Sequence, residues 1–341
     1  MIKPHALRPG DTVATISPSM GCAGDPEVLW KYELGVCRLR ELGLNVIAAP
    51  NSMKGSAYLS EHPEARAEDL MWAFEKSDVR AVIANIGGND SERILPFLDP
   101  EVIRHNPKIF CGYSDVLTIH LYCHRLGLST FYGPNLLTTI AEADGFHPYS
   151  RHWFEKTFFA PSPIGEIPPS QDWSYSGNNH TDPAYRKQYV PCGGYSRIQG
   201  SGTVSGRLFG GHGSFMDYKH PTIIPVKEDF RDAIFFYEDI PEFFTPDWIE
   251  RFFDWMGQNG FLQLLRGIVI GRPAAPEDFS PQAAKIREIV GGKYALPELP
   301  ILSGLNFGHS SPICTLPLGA TASIDADHLG FTINDSGVMP Q

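Results

Sequence analysis

A serine placed where a strand meets a helix is the first feature of this sequence that suggests chemistry. Residues 112–115 read Gly-Tyr-Ser-Asp, between a predicted strand at 108–113 and a predicted helix at 115–126. On such a tight turn the Ser114 hydroxyl is held out of the sheet, and the helix N-terminus supplies N–H groups for a developing oxyanion. The pattern predicts a nucleophile elbow, although Val116 replaces its second glycine and a helix N-cap is the alternative role.

A nucleophilic serine needs a base and a group that orients the base. His309 lies in a Gly-flanked loop after a predicted strand at 301–305, where an imidazole can be exposed and held in place. Glu238 and Asp239 directly follow a predicted strand at 233–237, where a carboxylate can orient that imidazole. The residues alone leave the choice between these two acids open.

A pair of glycines ends another predicted strand, at residues 81–86. Gly87 and Gly88 place flexible backbone at the carboxyl edge of the sheet, where open α/β sheets bind ligands, although a plain tight turn is the alternative. The residues that follow, 89–91, lack the further glycine of a dinucleotide fingerprint. We therefore expect no nicotinamide cofactor.

Metal and thiol chemistry have little support. His120 and His124 stand four apart on a predicted helix, but no glutamate lies between them and no third ligand is evident. The six cysteines are widely spaced and form no Cys-x-x-Cys pair, so we expect reduced, mostly buried thiols. We predict no metal and no organic cofactor.

Composition limits the classes of partner. The 341 residues carry a formal net charge of −11, which argues against a nucleic-acid backbone as a partner. With 42% hydrophobic and 20% charged residues the chain can fold around a large core, and no stretch approaches the roughly 20 apolar residues of a membrane span. Residues 1–10 show no apolar run typical of a signal peptide, so we expect a cytoplasmic protein without membrane contact.

The elements that must position these residues fall into two parts. Residues 1–160 alternate strand and helix patterns, which predicts a mostly parallel sheet with helices on both faces, carrying the nucleophile. Residues 161–202 are rich in Pro, Gly, Ser and Asn and are predicted to be a linker with a long loop. Residues 203–341 mix short strands with helices, which predicts a smaller, strand-rich α/β domain that carries the acid and the histidine.

The sequence resembles the serine peptidases that comprise LD-carboxypeptidases and the microcin C immunity protein MccF. The resemblance runs nearly end to end and rests on these segments in this order: residues 7–13 with 17–19, residues 57–60 with Arg66, 69–70 and 73–74, then 87–88, 112–115, 267–271, 307–309 and 315–319. It implies a Ser-Glu-His triad, which falls here on Ser114, Glu238 and His309. It also implies oxyanion donors at the backbone amides of Gly88 and Asp115, and a homodimer.

Two departures favour the MccF-like branch of that family. LD-carboxypeptidases usually have an arginine before the glycine pair and an aromatic residue after it, whereas Ile86 and Asn89 flank it here. The segment 161–202 also looks longer than a carboxypeptidase needs. The resemblance then implies aminoacyl-nucleotide substrates, with Trp173 in that segment as the residue that stacks on a base, or that packs the loop onto the body.

The sequence therefore predicts a serine hydrolase that cleaves an amide-type bond in an aminoacyl-nucleotide or short-peptide conjugate. Its substrate would contact Gly87, Asn89 and Trp173. Within the enzyme class the alternative is a murein-tetrapeptide LD-carboxypeptidase. From another class, the alternative is a non-catalytic two-domain protein that only captures its ligand.

Overall fold

Two large β-sheets organise the chain, in a computed structural model that describes residues 1–273 and 278–341. In chain order the strands are β1 Thr12–Ile16, β2 Asn45–Ala48, β3 Val79–Ala84, β4 Ile109–Gly112, β5 Phe131–Tyr132, β6 Gly165–Glu166, β7 Asp172–Trp173, β8 Val190–Pro191, β9 Ser196–Gln199, β10 Thr203–Gly211, β11 Ala233–Tyr237, β12 Gly267–Gly271, β13 Ile301–Leu305, β14 Leu316–Pro317, β15 Thr321–Asp325 and β16 Gly330–Ile333. The α-helices are α1 Leu29–Glu41, α2 Gly55–Glu61, α3 Pro63–Glu75, α4 Pro100–His105, α5 Leu117–Arg125, α6 Pro148–Phe158, α7 Lys227–Phe230, α8 Pro246–Gln258 and α9 Ser280–Ile286. None of the helices in the described ranges is both long and apolar enough to cross a bilayer.

The first sheet has the strand order β2-β1-β3-β4-β5-β14, and β1 to β5 pair in parallel. Its central strands are buried on both faces because helices cover both. On β3, Val82 and Ala84 share a core cluster with α3 and α5, whereas Ala81 and Ile83 share one with α1 and α6. The predicted parallel sheet with flanking helices is confirmed.

The second sheet has the order β6-β16-β15-β10-β11-β12-β13-β9. Strands β10 to β13 pair in parallel at its centre, and the outer strands pair antiparallel. The separate, strand-rich C-terminal sheet is likewise confirmed. The segment 161–202 supplies both edge strands, β6 and β9, and a two-stranded ribbon of β7 and β8.

The carboxyl ends of parallel strands from both sheets converge on one region. In the first sheet, Gly87 follows β3 and Ser114 follows β4, whereas Tyr132 is the last residue of β5. The second sheet faces them with the residues that follow β11 and β13, Glu238 and His309. Packing fixes the two sheets together here, since the ring centroids of Tyr132 and Phe236 lie 5.3 Å apart. A site at this edge is what the strand topology favours.

Candidate active site

Ser114 occupies a strained turn between β4 and α5. Its backbone φ is +71°, a left-handed conformation that a non-glycine residue rarely adopts. The turn depends on Gly87, because a Cβ at that position would lie 2.7 Å from the Ser114 Cβ and 2.9 Å from its Oγ. The Ser114 hydroxyl is not used as a helix cap; instead it lies 3.0 Å from His309 Nε2. The geometry is that of a nucleophile elbow.

Glu238 and His309 come together from the second sheet. The distance from His309 Nδ1 to Glu238 Oε2 is 2.7 Å, and the backbone N–H of His309 donates to the same oxygen at 3.1 Å. Gly308, with φ +89°, makes room for this contact, since a Cβ there would lie 2.3 Å from Glu238 Oε2. The structure thus brings Ser114, His309 and Glu238 into one hydrogen-bonded series.

The charges in this series are set by burial and by mutual contact. Burial opposes ionisation of Glu238, but His309, His212 and the Tyr132 hydroxyl outweigh it, so the pKa of Glu238 lies below its ordinary value. Burial also opposes the imidazolium, but the Glu238 carboxylate outweighs it and raises the pKa of His309. An ionised Glu238 can only accept, so Nδ1 of neutral His309 carries the proton and Nε2 is free to accept from Ser114.

Asp239 points elsewhere although it is the next residue. Its Oδ2 accepts hydrogen bonds from the Gly213 backbone at 2.9 Å, the Trp248 indole at 3.1 Å and the Tyr237 hydroxyl at 3.2 Å. These donors hold the carboxylate away from the Nδ1 side of the imidazole, which Glu238 occupies. Of the two acids that the sequence left open, Glu238 is the one that contacts His309.

A cavity of about 430 Å³ opens beside the serine. Its lining includes Ser114 and His309 together with three residues that the sequence singled out, Gly88, Asp115 and Asn89. Gly88 has φ +154° and packs against Ser19 so closely that a Cβ would lie 2.2 Å from the Ser19 Oγ. Both the left-handed backbone and this close contact therefore require glycine at position 88.

Trp173 does not line this cavity, in contrast to the sequence prediction. It lies in β7, beside a separate cavity of about 370 Å³, and the Arg272 guanidinium stands 5.1 Å from its ring centroid. Its neighbour Ser174 pairs with Ser311 as an isolated β-bridge. Trp173 therefore lies next to a point where the segment 161–202 pairs with the loop after β13.

The segment 161–202 does reach the serine, but with other residues. A second cavity of about 180 Å³, which also has Ser114 in its lining, is lined by Gly87, Asn178 and His180. Burial, then the nearby charge of Lys31, lowers the pKa of His180 to about 4, so its imidazole is neutral at pH 7. Its Nδ1 is buried without a hydrogen-bond partner in the described ranges. A histidine in a Gly- and Asn-rich loop was the available signal.

Two further residues at the site were missed from the sequence. Tyr132 donates its hydroxyl to Glu238 Oε1 and accepts the backbone N–H of Ser114 at 3.2 Å, so it joins the acid to the elbow. His212 donates from Nε2 to the Ser114 carbonyl at 3.0 Å. Tyr132 ends a short β-branched and aromatic run, Thr-Phe-Tyr at 130–132, which was a usable signal. His212 directly follows β10, which ends at Gly211.

His120 and His124, the pair considered as a metal site, each contact other protein groups. His120 is buried between the Gly112 carbonyl and the Thr130 hydroxyl, at 2.9 and 2.8 Å, and burial lowers its pKa to about 4. His124 lies 3.6 Å from Asp229 instead. Within the described ranges, no cluster of three or more His, Cys, Asp or Glu side chains is arranged to hold a metal ion.

A serine on a strained elbow, hydrogen-bonded to a histidine that a buried carboxylate orients, is the arrangement that defines the Ser-His-acid class of serine hydrolases. Two family models match the chain: the LD-carboxypeptidase N-terminal domain over residues 13–133 and the LD-carboxypeptidase C-terminal domain over residues 205–324. The chain therefore belongs to the LD-carboxypeptidase family of serine peptidases, and it is a carboxypeptidase-type hydrolase.

Its relatives fall in both branches of that family. The chain is 30% identical to the "Probable murein peptide carboxypeptidase" of Bacillus subtilis (strain 168), over 95% of this chain and 91% of the relative. It is 28% identical to the microcin C7 self-immunity protein MccF of Escherichia coli, over 98% of both. A solved structure of MccF with glutamyl sulfamoyl guanosine, 24% identical over 99% of this chain and 100% of that one, shares the fold with a TM-score of 0.84.

A solved structure of an MccF-like protein has a slightly higher TM-score than that MccF structure. The MccF-like protein from Streptococcus pneumoniae, in complex with AMP, is 28% identical and has a TM-score of 0.86. The match covers 96% of this chain and 99% of that chain. The family models, the sequence relatives and the solved structures confirm the resemblance inferred from the sequence.

Proposed function

We propose that this chain is an MccF-like serine hydrolase that cleaves an amide-type bond in an aminoacyl-nucleotide or short-peptide conjugate. The observation that carries the proposal is the position of the His309 imidazole, 3.0 Å from Ser114 Oγ and 2.7 Å from Glu238 Oε2. Ser114 is the nucleophile, His309 the general base and acid, and Glu238 the carboxylate that fixes the imidazole tautomer.

In the proposed mechanism, His309 Nε2 takes the hydroxyl proton of Ser114 as the oxygen attacks the substrate carbonyl. The N–H groups of Gly88 and Asp115 stabilise the tetrahedral oxyanion. His309 then protonates the leaving nitrogen, the C–N bond breaks and an acyl-enzyme remains. Water, deprotonated by His309, hydrolyses the ester and restores Ser114. Glu238 stabilises the imidazolium in both steps.

The nucleotide substrate class is supported by the relatives and by a different aromatic residue from the one predicted. The similar MccF-like protein is in complex with AMP. In this chain Phe243 lines the Ser114 cavity, the residue is 42% exposed, and its ring is an aromatic surface within that cavity for a planar ligand group. The similarity to a murein peptide carboxypeptidase favours the second candidate, cleavage of a murein tetrapeptide.

A fluorophosphonate probe tests the proposed class. Because the probe reacts with an activated serine, mass spectrometry should find the label on Ser114 and lose it in Ser114→Ala. Ser60→Ala, at an exposed helix position, is the matched control and should label like the wild type. Absence of labelling in a folded wild-type chain would contradict the hydrolase and leave the ligand-capturing alternative.

A hydrolysis screen then separates the substrate classes. Aminoacyl sulfamoyl adenosines and a murein tetrapeptide are each incubated with wild type and Ser114→Ala, and the released amine is measured. Faster Ser114-dependent release from the sulfamoyl adenosines supports the MccF-like proposal. Faster release of the terminal residue from the tetrapeptide contradicts it in favour of the carboxypeptidase.

The proposed setting is the cytoplasm, with a small-molecule or short-peptide substrate, no nucleic acid partner and a homodimeric assembly. All six cysteines are free thiols, which is typical of a reducing compartment. The homodimer rests on the family resemblance. Light scattering after gel filtration should give twice the mass of one chain, and the mass of a single chain would contradict it.

A further inference from the structure

Arg66 carries a fully buried charge close to the site, and the proposed mechanism does not use it. It lies in α3, its side chain is 0% exposed, and it is one of the residues that carry the family resemblance. Its guanidinium forms a bidentate pair with Asp90, at 2.7 and 3.1 Å. Burying a charge is costly, and an ion pair inside a protein is often no more stabilising than apolar side chains of similar volume. Stability alone therefore does not account for a charge at this position.

The same guanidinium also contacts the loop that follows β1. Its Nη1 donates to the carbonyls of Ser19 at 3.0 Å and Pro18 at 3.3 Å. Asp90 lies in the loop that follows β3, two residues after Gly88. Arg66 thus joins the loops at the carboxyl ends of two paired strands, β1 and β3. Because a guanidinium is planar and its N–H directions are fixed, these contacts set how the two loops lie relative to each other.

Both loops hold the groups that would bind the oxyanion. Ser19 packs on Gly88, where a Cβ would lie 2.2 Å from the Ser19 Oγ, and its hydroxyl donates to Asp115 Oδ2. From the loop after β3, the Ser91 backbone N–H donates to the same Asp115 oxygen at 2.8 Å, and the Ser91 hydroxyl donates to the Asp115 carbonyl at 2.6 Å. The loops that Arg66 joins are therefore the ones that hold both proposed oxyanion donors.

This network is separate from the residues that transfer the proton. The hydrogen-bond partners of Arg66 lie beside the first sheet, whereas Glu238 and His309 approach Ser114 from the second sheet. The Glu238 carboxylate, which outweighs burial, raises the pKa of His309. A change at Arg66 can therefore displace the oxyanion donors and leave the pKa of the base as it is.

We propose that Arg66 is a positioning residue for the oxyanion hole, which holds the Gly88 and Asp115 N–H groups at the spacing that a tetrahedral oxyanion requires. Since Arg66 is fully buried, it acts through the loops after β1 and β3 and not on the substrate. The inference rests on the proposed function, because it takes Ser114 as the nucleophile and these N–H groups as the oxyanion donors. Such donors are effective when they are fixed in place before the reaction, so a small displacement lowers the rate.

The fluorophosphonate tests this role, because its phosphoryl oxygen occupies the oxyanion position as Ser114 attacks. The labelling rate is measured against probe concentration, which separates kinact from KI, and mass spectrometry gives the final labelled fraction. We expect Arg66→Ala to lower kinact by about 10²-fold and to leave KI near the wild-type value, because the donors bind the oxygen most tightly in the transition state. The final labelled fraction should equal that of the wild type.

The pH dependence of labelling shows which part of the site is disturbed. His309 must be neutral to activate Ser114, so labelling should rise with pH through an inflection that reports on His309. Arg66→Ala should keep the wild-type inflection, because Glu238 still contacts the imidazole. Arg66→Lys should recover only part of kinact, because an ammonium cannot form the bidentate pair and both carbonyl contacts together.

Ser19→Ala tests the same path with a smaller change. It removes the hydroxyl that donates to Asp115 and leaves the carbonyl that accepts from Arg66. We expect kinact to fall by about 10-fold, the effect of losing one hydrogen bond to a charged group. This variant decides the question if Arg66→Ala does not fold.

Lys108→Met is the matched control for the loss of a buried cation. Lys108 is 8% exposed and donates to the carbonyls of Ala73 and Lys76, but it directly precedes β4, at the end of that strand opposite to Ser114. We expect this variant to lose stability in chemical denaturation and to label at the wild-type rate.

The outcomes separate the positioning role from the hydrolase itself. A wild-type kinact in Arg66→Ala, or in Ser19→Ala where Arg66→Ala does not fold, overturns the positioning role and leaves the hydrolase standing. Equal losses of kinact in Arg66→Ala and Lys108→Met overturn it too, because general loosening would then be the cause. A shifted pH inflection in Arg66→Ala overturns it because the effect would then act on His309. A wild-type chain that does not label overturns the proposed function and the positioning role with it.

Discussion

Glu238 and Asp239 are adjacent acids with different surroundings, and the geometry predicts different roles. We expect Glu238→Gln to lower kcat by about 10⁴-fold, because an amide at this position favours the wrong imidazole tautomer. Asp239→Asn should lower kcat by less than about 10-fold, since Asp239 accepts from Gly213 and Trp248 and does not orient His309. Steady-state kinetics on purified, folded variants measures both.

The order of these two effects decides the assignment. If Asp239→Asn loses more activity than Glu238→Gln, the orienting role belongs to Asp239 and the contact between Glu238 and His309 is not the productive one. Circular dichroism spectra of both variants show whether each still folds.

The raised pKa of His309 predicts how the rate depends on pH. The base must be neutral to accept the Ser114 proton, so protonation of His309 at low pH removes activity. Because burial is outweighed by Glu238 and the pKa of His309 is raised, kcat/KM should rise with pH through an inflection above about 6.5 and then level off. Glu238, with a lowered pKa, stays ionised across that range.

A pH profile with the Glu238→Gln variant provides the control. Removing the carboxylate removes the cause of the raised pKa, so the inflection should move to lower pH. A flat wild-type profile between pH 5 and 8, with acylation shown to be rate-limiting, would contradict a titrating histidine base.

Individual residues differed in how far their sequence context predicted their roles. Ser114 and His309 stand in short motifs at strand ends, so their types and neighbours pointed to them. The choice between Glu238 and Asp239 depends on side-chain direction after β11, which no local pattern records. Trp173 was chosen for its type in a polar loop, but its position depends on packing against Arg272, about 100 residues away in the chain.

At the level of elements, the site is an assembly of strand ends, and the apolar runs that predicted those strands were reliable. The predicted strand at 233–237 is β11, and that at 301–305 is β13, with the same bounds. The segment 161–202 was harder, because β6 and β8 are two-residue edge strands. Such strands exist through pairing with distant partners and leave no periodicity of their own.

The loop between β13 and β14 gives an element-scale prediction. A Cβ at Gly308 would lie 2.3 Å from Glu238 Oε2, so Gly308→Ala should push the carboxylate or the loop away from the imidazole. We expect kcat/KM to fall by about 10²-fold, as for other small misplacements of catalytic groups. Labelling by the fluorophosphonate should slow in parallel.

Gly127→Ala is the matched control for backbone strain. Gly127 has φ +81°, close to the φ +89° of Gly308, but a Cβ there would meet nothing within 4 Å. Both variants carry a similar conformational cost, and the crowding of Glu238 is specific to Gly308→Ala. Equal activity losses in the two variants would mean that strain, and not displacement of Glu238, causes the effect.

For the whole molecule, the important fact is that neither sheet carries the site alone. Ser114 and Tyr132 belong to the first sheet, whereas Glu238 and His309 belong to the second, so the relative placement of the sheets sets the distance from Oγ to Nε2. One hydrophobic cluster contains residues of both sheets, among them Tyr132 and Phe236. Apolar packing of this kind does not fix orientation as sharply as directional polar contacts do.

Arg125, at the end of α5, supplies such a contact between the two parts. Its guanidinium forms a bidentate pair with Asp229, whose side chain is 3% exposed, and it also donates to the carbonyls of Thr222 at 3.1 Å and Ile224 at 2.9 Å. Removing the arginine leaves the buried carboxylate with only His124, at 3.6 Å, and the Val226 backbone N–H beside it, which is costly. We expect Arg125→Ala to lower the free energy of unfolding by about 2 kcal/mol, the low end for such pairs because the guanidinium is 26% exposed.

Chemical denaturation monitored by circular dichroism measures this loss, and two variants make it specific. Arg125→Lys should recover only part of the stability, because an ammonium cannot form the bidentate pair and both carbonyl contacts together. Arg104→Ala breaks an exposed pair with Glu101 within α4 and should change the free energy of unfolding by less than about 0.5 kcal/mol. If Arg125→Ala unfolds at the wild-type denaturant concentration, the Arg125 pair is not needed to hold the two sheets in the arrangement that brings His309 to Ser114.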